Sequence, residues 1–110
     1  MPPLPQMKIL ARLAPNAATE TDFYTVPVSR GARVQGLTVC NRSAVATSFR
    51  ISVSPKGAAT GTRDYLYYDL PITGNDTFMA TLDTDLETGD VIRVYNTLAT
   101  LTFVLYGGIT

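Results

Sequence analysis

Three of the chain's six tyrosines fall within four positions of the stretch Arg63-Asp64-Tyr65-Leu66-Tyr67-Tyr68-Asp69-Leu70, a density that suggests a task beyond folding. A tyrosine ring offers flat apolar area with a polar tip, which suits anchoring a partner protein or stacking on a sugar. Successive side chains of a strand point to opposite faces, so Leu66, Tyr68 and Leu70 share one face and Tyr65, Tyr67 and Asp69 the other. The two leucines assign the first set to the core. Tyr65, Tyr67 and Asp69, with Arg63 beside them, are expected to face outward and contact a partner. The plainer alternative is a strand-favouring residue on a solvated sheet, and sugar stacking is weakened by the absence of Trp.

A second group lies in Asp83-Thr84-Asp85-Leu86-Glu87-Thr88-Gly89-Asp90. Asp83, Asp85, Glu87 and Asp90 are oxygen ligands of the kind Ca²⁺ takes, although the loop lacks the sixth-position glycine and twelfth-position glutamate of an EF-hand. Its other reading is a solvated turn that delivers Gly89-Asp90 to a hairpin. No other cofactor is expected. Arg30, Arg33, Arg42 and Arg50 form a basic run, more suited to surface charge or ion pairs with an adjacent subunit than to nucleic acid, because acidic residues balance it. Asn41-Arg42-Ser43 and Asn75-Asp76-Thr77 match the glycosylation pattern, and both read as turns.

What is missing narrows the chemistry. There is no histidine and a single cysteine, Cys40, which removes the commonest general base, zinc sites and Cys/His nucleophile pairs. No phosphate-binding glycine loop or nucleophile elbow occurs. Catalysis is not expected. Nine basic and nine acidic residues give a net charge of zero, so there is no overall field to attract nucleic acid. The apolar run Met7 to Leu13 is broken by Lys8 and Arg12, far short of the roughly 20 residues of a membrane span.

The elements that must position these residues are short strands. Residues 1–21, with Pro2, Pro3 and Pro5 at the start, read as an extended arm. Its middle, including Lys8, Ile9, Leu10 and Arg12, is suited to pairing with a neighbouring sheet, or else frays. Residues 22–110 read as one domain. Phe49, Ile51 and Val53 alternate with Arg50, Ser52 and Ser54, the period of a half-buried strand. Phe78, Ala80 and Leu82 alternate with Met79, Thr81 and Asp83. Further strands are expected at Phe23 to Val26, Ala32 to Cys40, Tyr65 to Leu70, Val91 to Tyr95 and Leu101 to Tyr106, separated by Pro, Gly and Asn turns. Seven strands at this spacing predict an antiparallel all-β sandwich or small barrel. With no Trp and four Phe, its core is expected to be aliphatic.

Taken together, Phe23-Tyr24-Thr25-Val26-Pro27, Val39-Cys40-Asn41-Arg42-Ser43 running to Phe49-Arg50-Ile51-Ser52-Val53, Tyr65-Leu66-Tyr67-Tyr68-Asp69-Leu70-Pro71 with Asn75-Asp76-Thr77-Phe78, and Gly89-Asp90-Val91-Ile92-Arg93-Val94-Tyr95 resemble a family of small virion proteins of tailed bacteriophages. The likeness spans about residues 22–107. It implies an antiparallel β-sandwich of jelly-roll type, with seven or eight strands and an N-terminal arm. It also implies a non-enzymatic structural role: decorating or cementing the capsid or tail by oligomeric packing, in a virion assembled in the host cytoplasm. The expected partners are further copies, as a trimer, and the major capsid or tail proteins, with no membrane and no direct nucleic-acid contact. The alternative is a tail-fibre or baseplate module that binds host surface polysaccharide through the loops Lys56 to Thr62 and Asp83 to Asp90.

Overall fold

A computed structural model describes residues 8–109. Eight strands follow in order: β1 (Lys8–Leu13), β2 (Thr21–Thr25), β3 (Ala32–Asn41), β4 (Thr47–Ser54), β5 (Tyr65–Ile72), β6 (Thr77–Leu86), β7 (Val91–Asn96) and β8 (Leu101–Ile109). They form two four-stranded sheets, β1-β8-β3-β6 (sheet A) and β2-β7-β4-β5 (sheet B). Every pairing is antiparallel, and four of them nest about the chain's midpoint: β1 with β8, β2 with β7, β3 with β6, and β4 with β5. That is one long hairpin rolled up and split between two layers, the eight-stranded jelly roll.

Alternation explains most of the strands. In β8, Leu101, Phe103 and Leu105 are buried while Thr102, Val104 and Tyr106 are half-buried on the opposite face. In β4, Phe49 and Ile51 are fully buried. All four phenylalanines meet between the layers, within a core that is otherwise aliphatic as expected, fourteen of its seventeen buried hydrophobic residues being Val, Ile, Leu or Ala. Phe103 of sheet A lies 6.2 Å from both Phe23 and Phe49 of sheet B, and Phe49 lies 5.6 Å from Phe78. Each ring buried in this way contributes on the order of 1.5–3 kcal/mol.

The N-terminal segment departs from its expected place. Lys8–Leu13 is the edge strand of the chain's own sheet A, with Lys8 opposite Gly107 and Leu13 opposite Phe103. Leu10, Ala11 and Leu13 pack against the core. The link that follows is tied down too: Pro15 is buried, the Ala18 amide donates to the Asn96 carbonyl (2.8 Å), and Asn96 Nδ2 donates to the Asn16 carbonyl (2.9 Å). From Lys8 onward this stretch belongs to the sandwich, and its strand pairs within the chain. The prolines Pro2, Pro3 and Pro5 lie outside the described residues.

Strand β5 also departs: Leu66, Tyr67 and Tyr68 lie on the faces opposite to those expected, while Tyr65, Asp69 and Leu70 keep theirs. Phe49 faces Leu70 but Ile51 faces Tyr67, so Tyr68 and Asp69 together oppose Arg50, and Asp69 takes a φ of 51°. This is a β-bulge, tolerated because Asp is one of the few residues that adopt the left-handed region readily. A second shift, between Ile51 opposite Tyr67 and Ser52 opposite Tyr65, leaves Leu66 unpaired. Tyr67 therefore points inward, its ring 5.3 Å from Phe78 and 6.5 Å from Phe49, while Leu66 and Tyr68 are exposed.

Candidate functional site

The outward side of sheet B is built around Arg50. It sits opposite Tyr95 in the β4–β7 register and beside the bulge of β5. Its guanidinium lies 4.3 Å from the centre of the Tyr68 ring and 4.4 Å from that of Tyr95. Nε donates to Asp69 Oδ1 at 2.6 Å and Nη2 to Oδ2 at 3.4 Å, and this hydrogen bond raises the Arg50 pKa above its ordinary value. Tyr65 meets Tyr68 edge-on with ring centres 4.8 Å apart. The bulge thus turns Tyr68 and Asp69 outward together, where one can stack on Arg50 and the other bind it. Tyr65 and Asp69 are where the sequence suggests; Tyr67 is not, and Tyr68, Arg50 and Tyr95 take its place.

One end of the sandwich is fixed by Arg93, whose side chain is only 13% exposed. It binds Asp22 at 2.7 Å, Ser54 Oγ and Thr60 Oγ1 at 3.0 Å, and the Ala58 carbonyl at 2.7 Å. The loop after β4 is thereby pinned to β7. The Lys56 amide donates to Asp90 Oδ1 and its Nζ donates to the Thr88 carbonyl, so the two loops expected to carry ligand contacts brace each other.

The acidic loop is divided rather than convergent. Asp83 and Asp85 bind Arg33 at 3.0 and 3.1 Å, which raises the arginine's pKa, the hydrogen bond to Asp83 being the largest cause. Asp90 accepts from the Lys56 and Glu87 amides, and Glu87 lies 3.5 Å from Lys56 Nζ. Among the described residues no three acidic, cysteine or histidine side chains gather as a metal-binding group. Asn41, the first residue of one glycosylation pattern, is buried and bound to the Val45 and Thr73 carbonyls.

The outward side of sheet A is different in kind. A hollow of about 450 Å³ opens over β3, β6 and β8, floored at Gly36 and walled by Gln35, Thr38, Met79, Thr81 and Tyr106. Gly36 stands in register between Thr81 and Tyr106, so its missing side chain leaves the depression. Met79 is 72% exposed at the rim, and Ile9, opposite Tyr106, is 54% exposed beyond it. Lys8, Ile9, Leu10 and Arg12 are split by the β1 bulge, with Leu10 packed on the core and Lys8, Ile9 and Arg12 lying outside the core cluster. The signal for this face was a glycine interrupting an otherwise regular strand, a known sign of close approach or a cleft. The walls carry the hydroxyls of Thr38, Thr81 and Tyr106 and one carboxylate, Asp83, which is paired with Arg33.

No known protein family, curated protein or solved structure matches the chain.

Proposed function

We propose that this protein is a non-enzymatic structural component of a tailed-bacteriophage virion, one that decorates or cements head or tail by packing against copies of itself and against the surrounding particle. The observation that carries the proposal is the outer side of sheet A. A hollow with predominantly apolar walls, rimmed by Met79 and continued by Tyr106 and Ile9, is a surface that gains by being covered. Zero net charge removes the long-range repulsion that would keep copies apart. The jelly roll is shared by viral capsid and lectin domains, and this likeness of fold is analogy only.

A second role, binding of host surface polysaccharide, is favoured by one feature: the platform of Tyr68, Arg50 and Tyr95 edged by Asp69. Rings held in place by a guanidinium, beside a carboxylate, suit the apolar face and hydroxyls of a sugar. The two roles separate experimentally. An antibody against the protein should label phage particles produced by the strain that carries this gene, and the purified protein should give no signal on a glycan array. Particles that never contain the protein refute the virion assignment, and a glycan signal lost in Tyr68→Ala moves the function to host recognition.

A further inference from the structure

A jelly roll has four open edges, and in this one they are unequally guarded. Strand β1 carries Lys8, Arg12 and a bulge; β2 is five residues long with a bulge; β5 carries two register shifts and Pro71. Charges, prolines, bulges and short length are the devices that stop edge-to-edge pairing. Strand β6 has them only at its ends. At one end Asp76 Oδ1 accepts the Thr77 amide at 2.8 Å, and at the other Asp83 bulges with a φ of 46°. Between them Phe78-Met79-Ala80-Thr81-Leu82 runs with neither charge nor proline.

The hydrogen-bond phase of this run follows from one contact. The Asn41 amide donates to the Asp76 carbonyl at 2.9 Å, in register with Val39 opposite Phe78 and Leu37 opposite Ala80. Hydrogen-bonded and non-bonded pairs alternate along an antiparallel ladder, so Phe78 and Ala80 turn their backbone groups toward β3. Met79 and Thr81 turn theirs to the open edge.

We infer that β6 pairs antiparallel with β6 of a second copy about a two-fold axis at Ala80, joining the two A sheets into one of eight strands. In that register Met79 of one copy faces Thr81 of the other, twice, and four backbone hydrogen bonds form from groups that have no strand partner among the described residues of the single chain. Small Ala80 faces itself. Phe78 and Leu82, both half-buried at the rim of the core, lie opposite each other across the axis and cover one another. Shifting the axis to Met79 sets Leu82 against Asp76 and requires Thr77 to give up its own carboxylate contact, so the register is chosen by chemistry as well as symmetry. On the outer side Met79 comes beside Thr81 of the second copy, which extends the wall of the hollow.

This deepens the self-packing proposed above by naming its contact, and it makes the unit a dimer in place of the expected trimer. Sedimentation velocity over a wide concentration range, with residue-resolved amide hydrogen exchange on the same samples, tests it. The expected result is a dimer in which the Met79 and Thr81 amides exchange slowly when concentrated and at least tenfold faster when diluted to monomer, while Phe78 and Ala80 stay protected throughout. Thr81→Pro removes one edge N–H that β3 does not use and should give a folded monomer; should that variant not fold, exchange in the unaltered protein decides. A trimer, or any oligomer whose Met79 and Thr81 amides exchange freely, overturns the edge contact and leaves packing through another face standing. A monomer at every concentration overturns the edge contact and self-packing together, while antibody labelling of particles still decides the virion assignment separately.

Discussion

Replacing Arg50 with alanine tests what holds the outer side of sheet B together. The side chain is 26% exposed, it stacks on two rings at 4.3 and 4.4 Å, and it binds Asp69, which is 48% exposed. Each stack at such a partly open site contributes about 0.5–1 kcal/mol. The ion pair, discounted for solvent screening, adds about 0.5 kcal/mol. Arg50→Ala should therefore lose about 2 kcal/mol, roughly 9 °C in Tm for a domain of this size. Asp69→Asn removes the charge yet keeps a residue that tolerates the positive φ, and should lose only about 2 °C. Thermal unfolding followed by near-ultraviolet circular dichroism suits the purpose, because the chain has no Trp and tyrosine dominates that signal. In 1 M NaCl the Asp69→Asn difference should shrink while most of the Arg50→Ala difference persists. Equal losses in the two variants, or a loss below about 2 °C for Arg50→Ala, would refute the claim that stacking orders the rings.

Other outcomes follow from single contacts. Gly107 sits between β1 and β3, where an added Cβ would lie 2.1 Å from the Arg33 carbonyl oxygen, so Gly107→Ala should cost more than about 3 kcal/mol or prevent folding. At Gly36 the nearest atom would be the Ala80 carbonyl oxygen at 3.3 Å, and Gly36→Ala should cost less than about 1 kcal/mol, a denaturant titration of the two variants measuring both losses. The Tyr24 hydroxyl is buried with no hydrogen-bond partner among the described residues, and burial raises its pKa above 10.0. Below pH 10.0 folded and unfolded chains both keep the phenol protonated; above it the unfolded chain ionises first, and stability should fall until the folded value is passed. Tyr24→Phe should flatten that fall and gain up to about 1 kcal/mol at neutral pH. A Ca²⁺ site of ~10 μM affinity would add about 2.7 kcal/mol at 1 mM Ca²⁺. With its carboxylates already engaged, the acidic loop should show no such rise in Tm.

The parts of the fold legible in the residues are those governed by local period. Phe49, Ile51 and Val53 announce β4, and Phe78, Ala80 and Leu82 announce β6 and place Met79 outward. What stayed hidden depends on distant partners. Lys8–Leu13 does not alternate cleanly because its bulge is set by Tyr106 and Leu105, at the far end of the chain. The phase of β5 is set by Arg50, which needs Tyr68 and Asp69 on one side; nothing within Tyr65-Leu66-Tyr67-Tyr68-Asp69 itself says where the alternation breaks. A carboxylate next to paired tyrosines, able to take a positive φ, was the available hint. The division of the acidic loop was hidden for the same reason, since Arg33 is 50 residues away from Asp83.

The nested pairing of strands also governs how the protein comes into being. Strand β8 is the last of the eight strands to be synthesised, yet it is the neighbour of both β1 and β3. Until it emerges, β1 has no ladder partner among the described residues and β3 has only β6. Completion of sheet A therefore comes late in folding: all of sheet B and the β3–β6 pair can form from strands made before β8, whereas β1 and the second side of β3 must wait for it.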